Sequence, residues 1–235
     1  MTSLTVSMPA YNEAENIAEM INRVHTHIGP LVDDLEIVIV DDGSADSTGA
    51  IVTEISEADP TVRLVKHEVN QGYGAAVRDA VWAATKELIL ITDSDLQFDL
   101  SEIEHFLPRI ASADMVIGYR HARSDPWFRA LFGQGWSWIV NLLFGYTARD
   151  VDCAFKLFKR QVIETITVES GGAMFSAEFL VRAKRAGFKI IEVPVSHLPR
   201  VAGTQTGARP DVILRAFAEL FKMRLGMIGR SDASD

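Results

Sequence analysis

Three acidic clusters, each directly after a short apolar run, are the part of this chain best equipped for chemistry. Leu88-Ile89-Leu90-Ile91 leads into Thr92-Asp93-Ser94-Asp95-Leu96-Gln97. Val38-Ile39-Val40 leads into Asp41-Asp42-Gly43-Ser44, and Leu4–Met8 leads into Pro9-Ala10-Tyr11-Asn12-Glu13. Short apolar runs bounded by turn residues read as buried strands. In a parallel sheet their C-terminal ends lie along one edge, where open α/β sheets bind ligands. Carboxylates gathered there repel one another unless a cation or hydrogen-bond donors compensate. Asp93 and Asp95 would face opposite sides of an extended strand, whereas a turn right after the strand could instead converge them on one cation. Hard divalent ions such as Mg²⁺ and Mn²⁺ take oxygen ligands and keep a substrate phosphate in the shell. Taken singly, each cluster reads equally well as a solvated turn, Asp42-Gly43-Ser44 above all. Together they suit a metal–nucleotide site.

Further candidates sit at other strand ends and turns. Gln71-Gly72-Tyr73-Gly74 is a Gly-rich opening to a helix, which lets backbone approach a ligand and favours phosphate. A plain tight turn reads the same way. It is not the dinucleotide fingerprint, which belongs after the first strand. Arg120 follows a strand at Gly118-Tyr119, and Arg200 follows one at Val193–Leu198. Arginine suits bidentate phosphate recognition. His197 beside it reads more readily as a structural histidine.

The elements that must hold these residues alternate. Strands are expected at Leu4–Met8, Glu36–Val40, Val62–Lys66, Leu88–Thr92 and Met115–Gly118. Helices are expected at Glu15–Ile28, Ser47–Ala58, Gly74–Ala84 and Leu100–Ile110. That rhythm predicts an α/β fold, a mostly parallel, Rossmann-like sheet with helices on both faces. The rhythm breaks after Asp125, where an aromatic segment, Trp127–Phe144, precedes a mixed region and a last helix from Pro210.

Composition narrows the classes. The chain has 235 residues, 48% hydrophobic and 23% charged, which is ordinary globular material. A formal net charge of -9 argues against nucleic acid as a partner, which needs a basic footprint. Cys153 is the sole cysteine, so neither an intrachain disulfide nor a Cys-rich metal site is expected, in keeping with a reducing, cytoplasmic setting. The N-terminus lacks the basic and apolar regions of a signal peptide. No apolar run approaches the ~18 residues of a spanning helix.

The ordered set Pro9-Ala10-Tyr11-Asn12-Glu13, Val40-Asp41-Asp42-Gly43-Ser44, Gln71-Gly72-Tyr73-Gly74 and Asp93-Ser94-Asp95-Leu96-Gln97 resembles the family-2 glycosyltransferases of GT-A fold. Within them it is similar to the polyprenyl-phosphate sugar transferases, such as dolichyl-phosphate mannosyltransferase, over roughly Leu4 to Phe221. The resemblance implies one domain over 1–230, with 1–118 the nucleotide-sugar half, 119–230 the acceptor and membrane half, and 231–235 a tail. It implies that Pro9, Tyr11, Glu13 and Asp42 surround the donor's base and ribose, with Asp41 supporting that loop and Asp93 and Ser94 beside it. Asp93, Asp95 and Gln97 would hold Mg²⁺ or Mn²⁺. Asp95, Arg120 and Arg200 would carry catalysis, the arginines facing the acceptor phosphate. Lys156, in Asp150-Val151-Asp152-Cys153-Ala154-Phe155-Lys156, and Glu178, in Ser176-Ala177-Glu178-Phe179, are acceptor-side candidates. Glu178 reads equally as a helix N-terminal charge. Ala154 replaces a usual Gly, and Thr204-Gln205-Thr206 replaces a Ser-Lys feature after Gly203.

The implied activity is inverting transfer of a sugar from a UDP- or GDP-sugar to a polyprenyl phosphate. Alternatives are another acceptor (a glycolipid or polysaccharide), a sugar nucleotidyltransferase, and a non-catalytic nucleotide-sugar module. The nucleotidyltransferases usually carry a basic Gly-rich loop after the first strand, absent here. Trp127, Phe128, Leu131, Phe132, Trp136, Trp138, Ile139, Leu142, Leu143 and Phe144, flanked by Arg123 and Arg129, suit the membrane–water interface. A core helix or a homo-oligomer contact fits them too. The last helix sets Ile213, Phe217, Leu220 and Phe221 beside Arg215, Lys222, Arg224 and Arg230, which suits anionic headgroups. The expected location is therefore peripheral, on the cytoplasmic face of the cell membrane.

Overall fold

The computed structural model describes residues 1–123, 127–200 and 216–225, and only the backbone of 122, 123 and 127–132. The expectations for Arg123, Trp127, Phe128, Arg129, Leu131, Phe132, Gly203, Thr204–Thr206, Ile213, Arg215, Arg230 and the 231–235 tail fall outside the described side chains.

The strands are β1 Ser3–Ala10, β2 Asp34–Asp41, β3 Val62–Lys66, β4 Leu88–Ile91, β5 Met115–Arg123, β6 Lys156–Lys159 and β7 Ile190–His197. The helices are α1 Ile17–His27, α2 Thr48–Ala58, α3 Tyr73–Ala83, α4 Ile103–Ile110, α5 Trp127–Phe144, α6 Gln161–Thr165 and α7 Phe175–Arg185, followed by α8 over 216–225. One sheet runs in the order β3-β2-β1-β4-β6-β5-β7. β6 is antiparallel to both β4 and β5, and the remaining pairings are parallel.

Side-chain alternation explains the layers. Leu4, Val6 and Met8 of β1 enter the core on one face, while Thr5 and Ser7 turn to the other, where the Ser7 hydroxyl donates to the Ala80 carbonyl of α3 at 3.1 Å. In β4, Leu90 joins the first core and Ile89 and Ile91 the second. This is the two-residue period of a strand covered on both faces. Helix α1 buries Ile17, Met20, Ile21 and Val24 at helical spacing and leaves Glu19 and Arg23 paired outside at 2.8 Å. Helix α7 buries Phe175 and Phe179, which stack with centroids 5.7 Å apart, against Phe158 of β6.

Two features differ from the sequence reading. β5 runs on to Arg123, and β6 occupies a stretch read only as a mixed region. Lys-Leu-Phe-Lys is too short for a visible alternation, and burial by both neighbours rather than its own pattern makes it a strand. Strands β2, β1 and β4 are adjacent, so the three acidic clusters lie side by side on one edge.

Candidate active site

The β1 and β2 ends are laced together. Asn12, at φ 55°, donates its N–H to the Ser44 hydroxyl at 2.9 Å, and its side-chain oxygen accepts from Ala45 N–H at 2.8 Å. Glu13 N–H donates to Thr48 Oγ1 at 2.8 Å. Asp41 ends β2 buried and accepts from Ser44 N–H at 3.0 Å. Helix α2 begins so close above it that a Cβ on Gly49 would lie 2.3 Å from Asp41 Oδ2. Asp41 thus shapes the loop.

Asp42 is also buried, and its carboxylate is spent on the protein. It accepts from Gln71 N–H at 2.8 Å and Gly72 N–H at 2.9 Å. The ring of His67, next after β3, brings Nδ1 to 2.7 Å from Asp42 and Nε2 to 3.0 Å from Asp79. Asp42 therefore fixes the Gly-rich turn. Pro9 and Ser94 are likewise tied to each other, the Ser94 hydroxyl donating to the Pro9 carbonyl at 2.8 Å. Tyr11 stays partly open at the edge.

At the β4 end a turn follows, with Leu96 at φ 62°. Asp95 accepts from Gln97 N–H at 3.1 Å, a local bond that closes the turn. The Gln97 side-chain amide donates to the Leu198 carbonyl at 3.1 Å, and Leu198 N–H returns a bond to Gln97 at 2.8 Å. That stitches the exit of β7 onto the aspartate turn. Arg200 then reaches across, with one guanidinium nitrogen bonded to Glu13 and the other 3.4 Å from Asp95. Asp93 accepts from the Tyr73 hydroxyl at 3.0 Å.

Burial raises Asp93 above the usual carboxylate range, while Tyr73, Arg120 and Lys156 pull it down. Burial and the charge of Asp93 push Asp95 up to about 7, opposed by Arg200. Both carboxylates are buried and raised, and Glu13 adds a further negative charge beside each, so the cluster is short of positive charge. Among the described residues no three His, Cys, Asp or Glu side chains gather at metal-ligand spacing. The oxygen donors present, Asp93, Asp95 and the Gln97 amide, fit a hard cation that completes its shell with substrate oxygen.

A second region opens beside this edge. Arg120 grips Asp150 through two 2.7 Å hydrogen bonds, Nε to Oδ2 and the terminal amine to Oδ1. Its backbone N–H also reaches Asp150 at 3.2 Å. Arg149 lies over the Tyr119 ring, 4.9 Å from its centroid. These residues, with Gly133 and Gln134, line a shallow, open recess of about 160 Å³.

The structure does not bring Lys156 or Glu178 to an open surface. Lys156 is buried, its ammonium donating to the Val151 carbonyl at 3.2 Å and to the Cys153 carbonyl. Glu178 is 2% exposed. It accepts from Ser170 N–H at 2.8 Å, Glu169 N–H at 3.2 Å and Arg182 Nε at 2.6 Å. The sequence reading passed over His67, Arg149 and the side chain of Tyr73. His67 was findable as a histidine following a strand onto the ligand edge, and Arg149 as the neighbour of Asp150.

Residues 5–167 match the family description "Glycosyl transferase family 2". This chain is a family-2 glycosyltransferase. A relative, polyprenol monophosphomannose synthase of Mycolicibacterium smegmatis, is 32% identical over 211 residues, 84% of this chain and 78% of that protein. Among solved structures, mannosyltransferase PcManGT from Pyrobaculum calidifontis, in complex with GDP-Man and Mn²⁺, superposes with a TM-score of 0.66 at 23% identity. That match covers 93% of this chain and 64% of PcManGT. Glucosyl-3-phosphoglycerate synthase from Mycobacterium tuberculosis, with Mn²⁺ and UDP-glucose, gives a TM-score of 0.70 at 18% identity over 96% of this chain and 79% of that one. Both structural likenesses carry the GT-A fold for this glycosyltransferase.

Proposed function

We propose that this glycosyltransferase moves a sugar from a nucleoside diphosphate donor to polyprenyl phosphate, with inversion and with a divalent cation. The donor would lie along the β1, β2 and β4 ends, with its base and ribose among Pro9, Tyr11 and Glu13 on the loops that Asp41 and Asp42 hold. Asp93, Asp95 and Gln97 would hold Mg²⁺ or Mn²⁺. A cation held there would neutralise charge on the departing diphosphate. Arg200 bridges Glu13 and Asp95, which supports a role for it where an incoming phosphate would meet the donor.

The observation that carries the acceptor class is the recess with Arg120 and Arg149 at its wall. Arginine forks match phosphate oxygens; Asp150 already engages one edge of the Arg120 fork, so the phosphate would meet Arg149 and the other edge of Arg120. A phosphate acceptor is already an anionic nucleophile, so the chain need not supply a general base, as a sugar hydroxyl would require. The name and extent of the M. smegmatis relative support the same reading.

The lipid part of the acceptor is supported by exposed apolar residues on α5 and α8. Trp138 and Leu142 of α5 are 65% and 66% exposed, and Phe221 and Leu225 of α8 are 53% and 70% exposed. The expected stripe on α8 divides. Leu220 enters the core, Phe217 meets Trp136 edge-on at 5.4 Å, and Phe221 faces out beside Lys222. Apolar rings among basic residues suit a headgroup layer, and Arg224 lies over the Phe144 ring. No described helix is long and apolar enough to cross a membrane, so docking would be peripheral, on the cytoplasmic face.

A second reading keeps the chemistry and changes the acceptor. The M. tuberculosis structure of the same fold is named for a phosphoglycerate product, and a glycolipid or polysaccharide acceptor also fits a GT-A scaffold. A panel of UDP- and GDP-sugars with Mn²⁺ or Mg²⁺, scored for released nucleoside diphosphate, separates them. Polyprenyl phosphate should raise release strongly, and Asp95→Ala should abolish it. A neutral alcohol or 3-phosphoglycerate working better would overturn the polyprenyl assignment. Full turnover in chelator-treated protein would overturn the metal.

A further inference from the structure

We propose that Tyr73 is a positioning residue for the carboxylate of Asp93, clamped in place by the loop over residues 169–172. The proposal rests on the cation-binding reading of Asp93 given above. The contact itself is a 3.0 Å hydrogen bond from the phenol to Asp93 Oδ1. A carboxylate held at one oxygen cannot turn freely, and such outer partners aim and tune metal ligands.

A partly exposed tyrosine on an aspartate is often incidental. Here the backbone beneath it is fastened from two sides. Tyr73 is the first residue of α3, and the two residues before it donate their N–H groups to buried Asp42 at 2.8 and 2.9 Å. From the other side, Ala75 N–H donates to the Gly171 carbonyl at 2.8 Å. Gly74 fits only because it lacks a side chain, since a Cβ there would lie 2.1 Å from the Gly172 carbonyl oxygen. The 169–172 loop is held in turn by Glu178, whose carboxylate takes the N–H groups of Glu169 and Ser170 and the guanidinium of Arg182. A continuous set of contacts therefore runs from α7 through Gly171, Gly172 and Gly74 to the backbone of Tyr73, whose phenol carries it on to Asp93. Glu178, an acceptor-side candidate by sequence, anchors the far end of it.

Tyr73→Phe removes the hydroxyl and keeps the ring. The test titrates Mn²⁺ into wild type and variant in the presence of UDP or GDP, reading free Mn²⁺ by electron paramagnetic resonance, with thermal melting alongside. Expected is a loss of Mn²⁺ affinity of about tenfold with an unchanged melting temperature. In turnover, the metal KM should rise in the same proportion, with kcat at saturating Mn²⁺ within about twofold of wild type. Equal Mn²⁺ affinity in the two proteins would overturn the role of Tyr73, as would a fall confined to kcat. Wild type that binds no Mn²⁺ with either nucleotide would overturn the cation reading itself, and this proposal with it.

Discussion

Replacing Asp150 by Asn tests whether Arg120 is aimed by its partner. The pair has two 2.7 Å charge-assisted bonds, and the two side chains are only 13% and 11% exposed. Asparagine keeps the shape but loses the charge. It also offers an NH₂ group where the guanidinium needs an acceptor, so one bond becomes donor against donor. Removing one partner of a fully buried pair costs about 3–5 kcal/mol. The residual exposure places this one at the low end, about 3 kcal/mol. For a chain of this size that corresponds to a fall in Tm of roughly 6–12 °C. Urea unfolding followed by circular dichroism reads it as a lower midpoint at constant slope. Arg120→Gln, alone and with Asp150→Asn, completes a cycle with a coupling of about 2 kcal/mol. Acceptor KM should rise in Asp150→Asn while donor KM holds. A stability loss under about 1 kcal/mol would mean that the pair behaves as an exposed salt bridge, and the reasoning would be refuted.

Gly74→Ala should cost about 1–3 kcal/mol, because its new methyl meets backbone of Gly171 and Gly172 that cannot rotate away; an unchanged Tm would contradict the close approach. Glu178 supplies a pH dependence. Burial raises its pKa, but hydrogen bonds from Ser170 and Glu169 and the charge of Arg182 outweigh that and hold it below the ordinary 4.5. Its stabilisation is therefore present above about pH 4.5 and fades as pH falls through the lower folded value. Glu178→Gln should lower Tm at pH 7, with the gap to wild type closing in acid; a gap that persists to the lowest pH would exclude the linkage.

The acidic strand-end edge was legible because it is local. Val38-Ile39-Val40 before Asp41 and Leu88–Ile91 before Asp93 announce both the strand and what its end carries. That β2, β1 and β4 are neighbours follows from the winding rule of parallel sheets. What each carboxylate does there was not legible. Asp42 is engaged by Gln71, Gly72 and His67, residues 25 to 30 positions away, and no local pattern encodes that. Lys156 reads as an acceptor-side candidate until β6 is known to lie between two strands, which buries it. The resemblance offered Glu178 as an acceptor-side candidate, whereas its carboxylate is taken by Arg182 and by Glu169 and Ser170, in a loop whose path the sequence does not disclose.

The antiparallel set of β6 has a consequence for modularity. The chain leaves β5 at the ligand edge, forms α5, and re-enters at that same edge through β6, instead of crossing back under the sheet. Everything between the two strands is a detour whose both feet stand on the rim of the site. Lengthening, shortening or exchanging that detour disturbs no crossover and leaves β1, β2 and β4 untouched. The stretch between β5 and β6 can thus be exchanged as a cassette while the β1, β2 and β4 ends keep their acidic clusters in place.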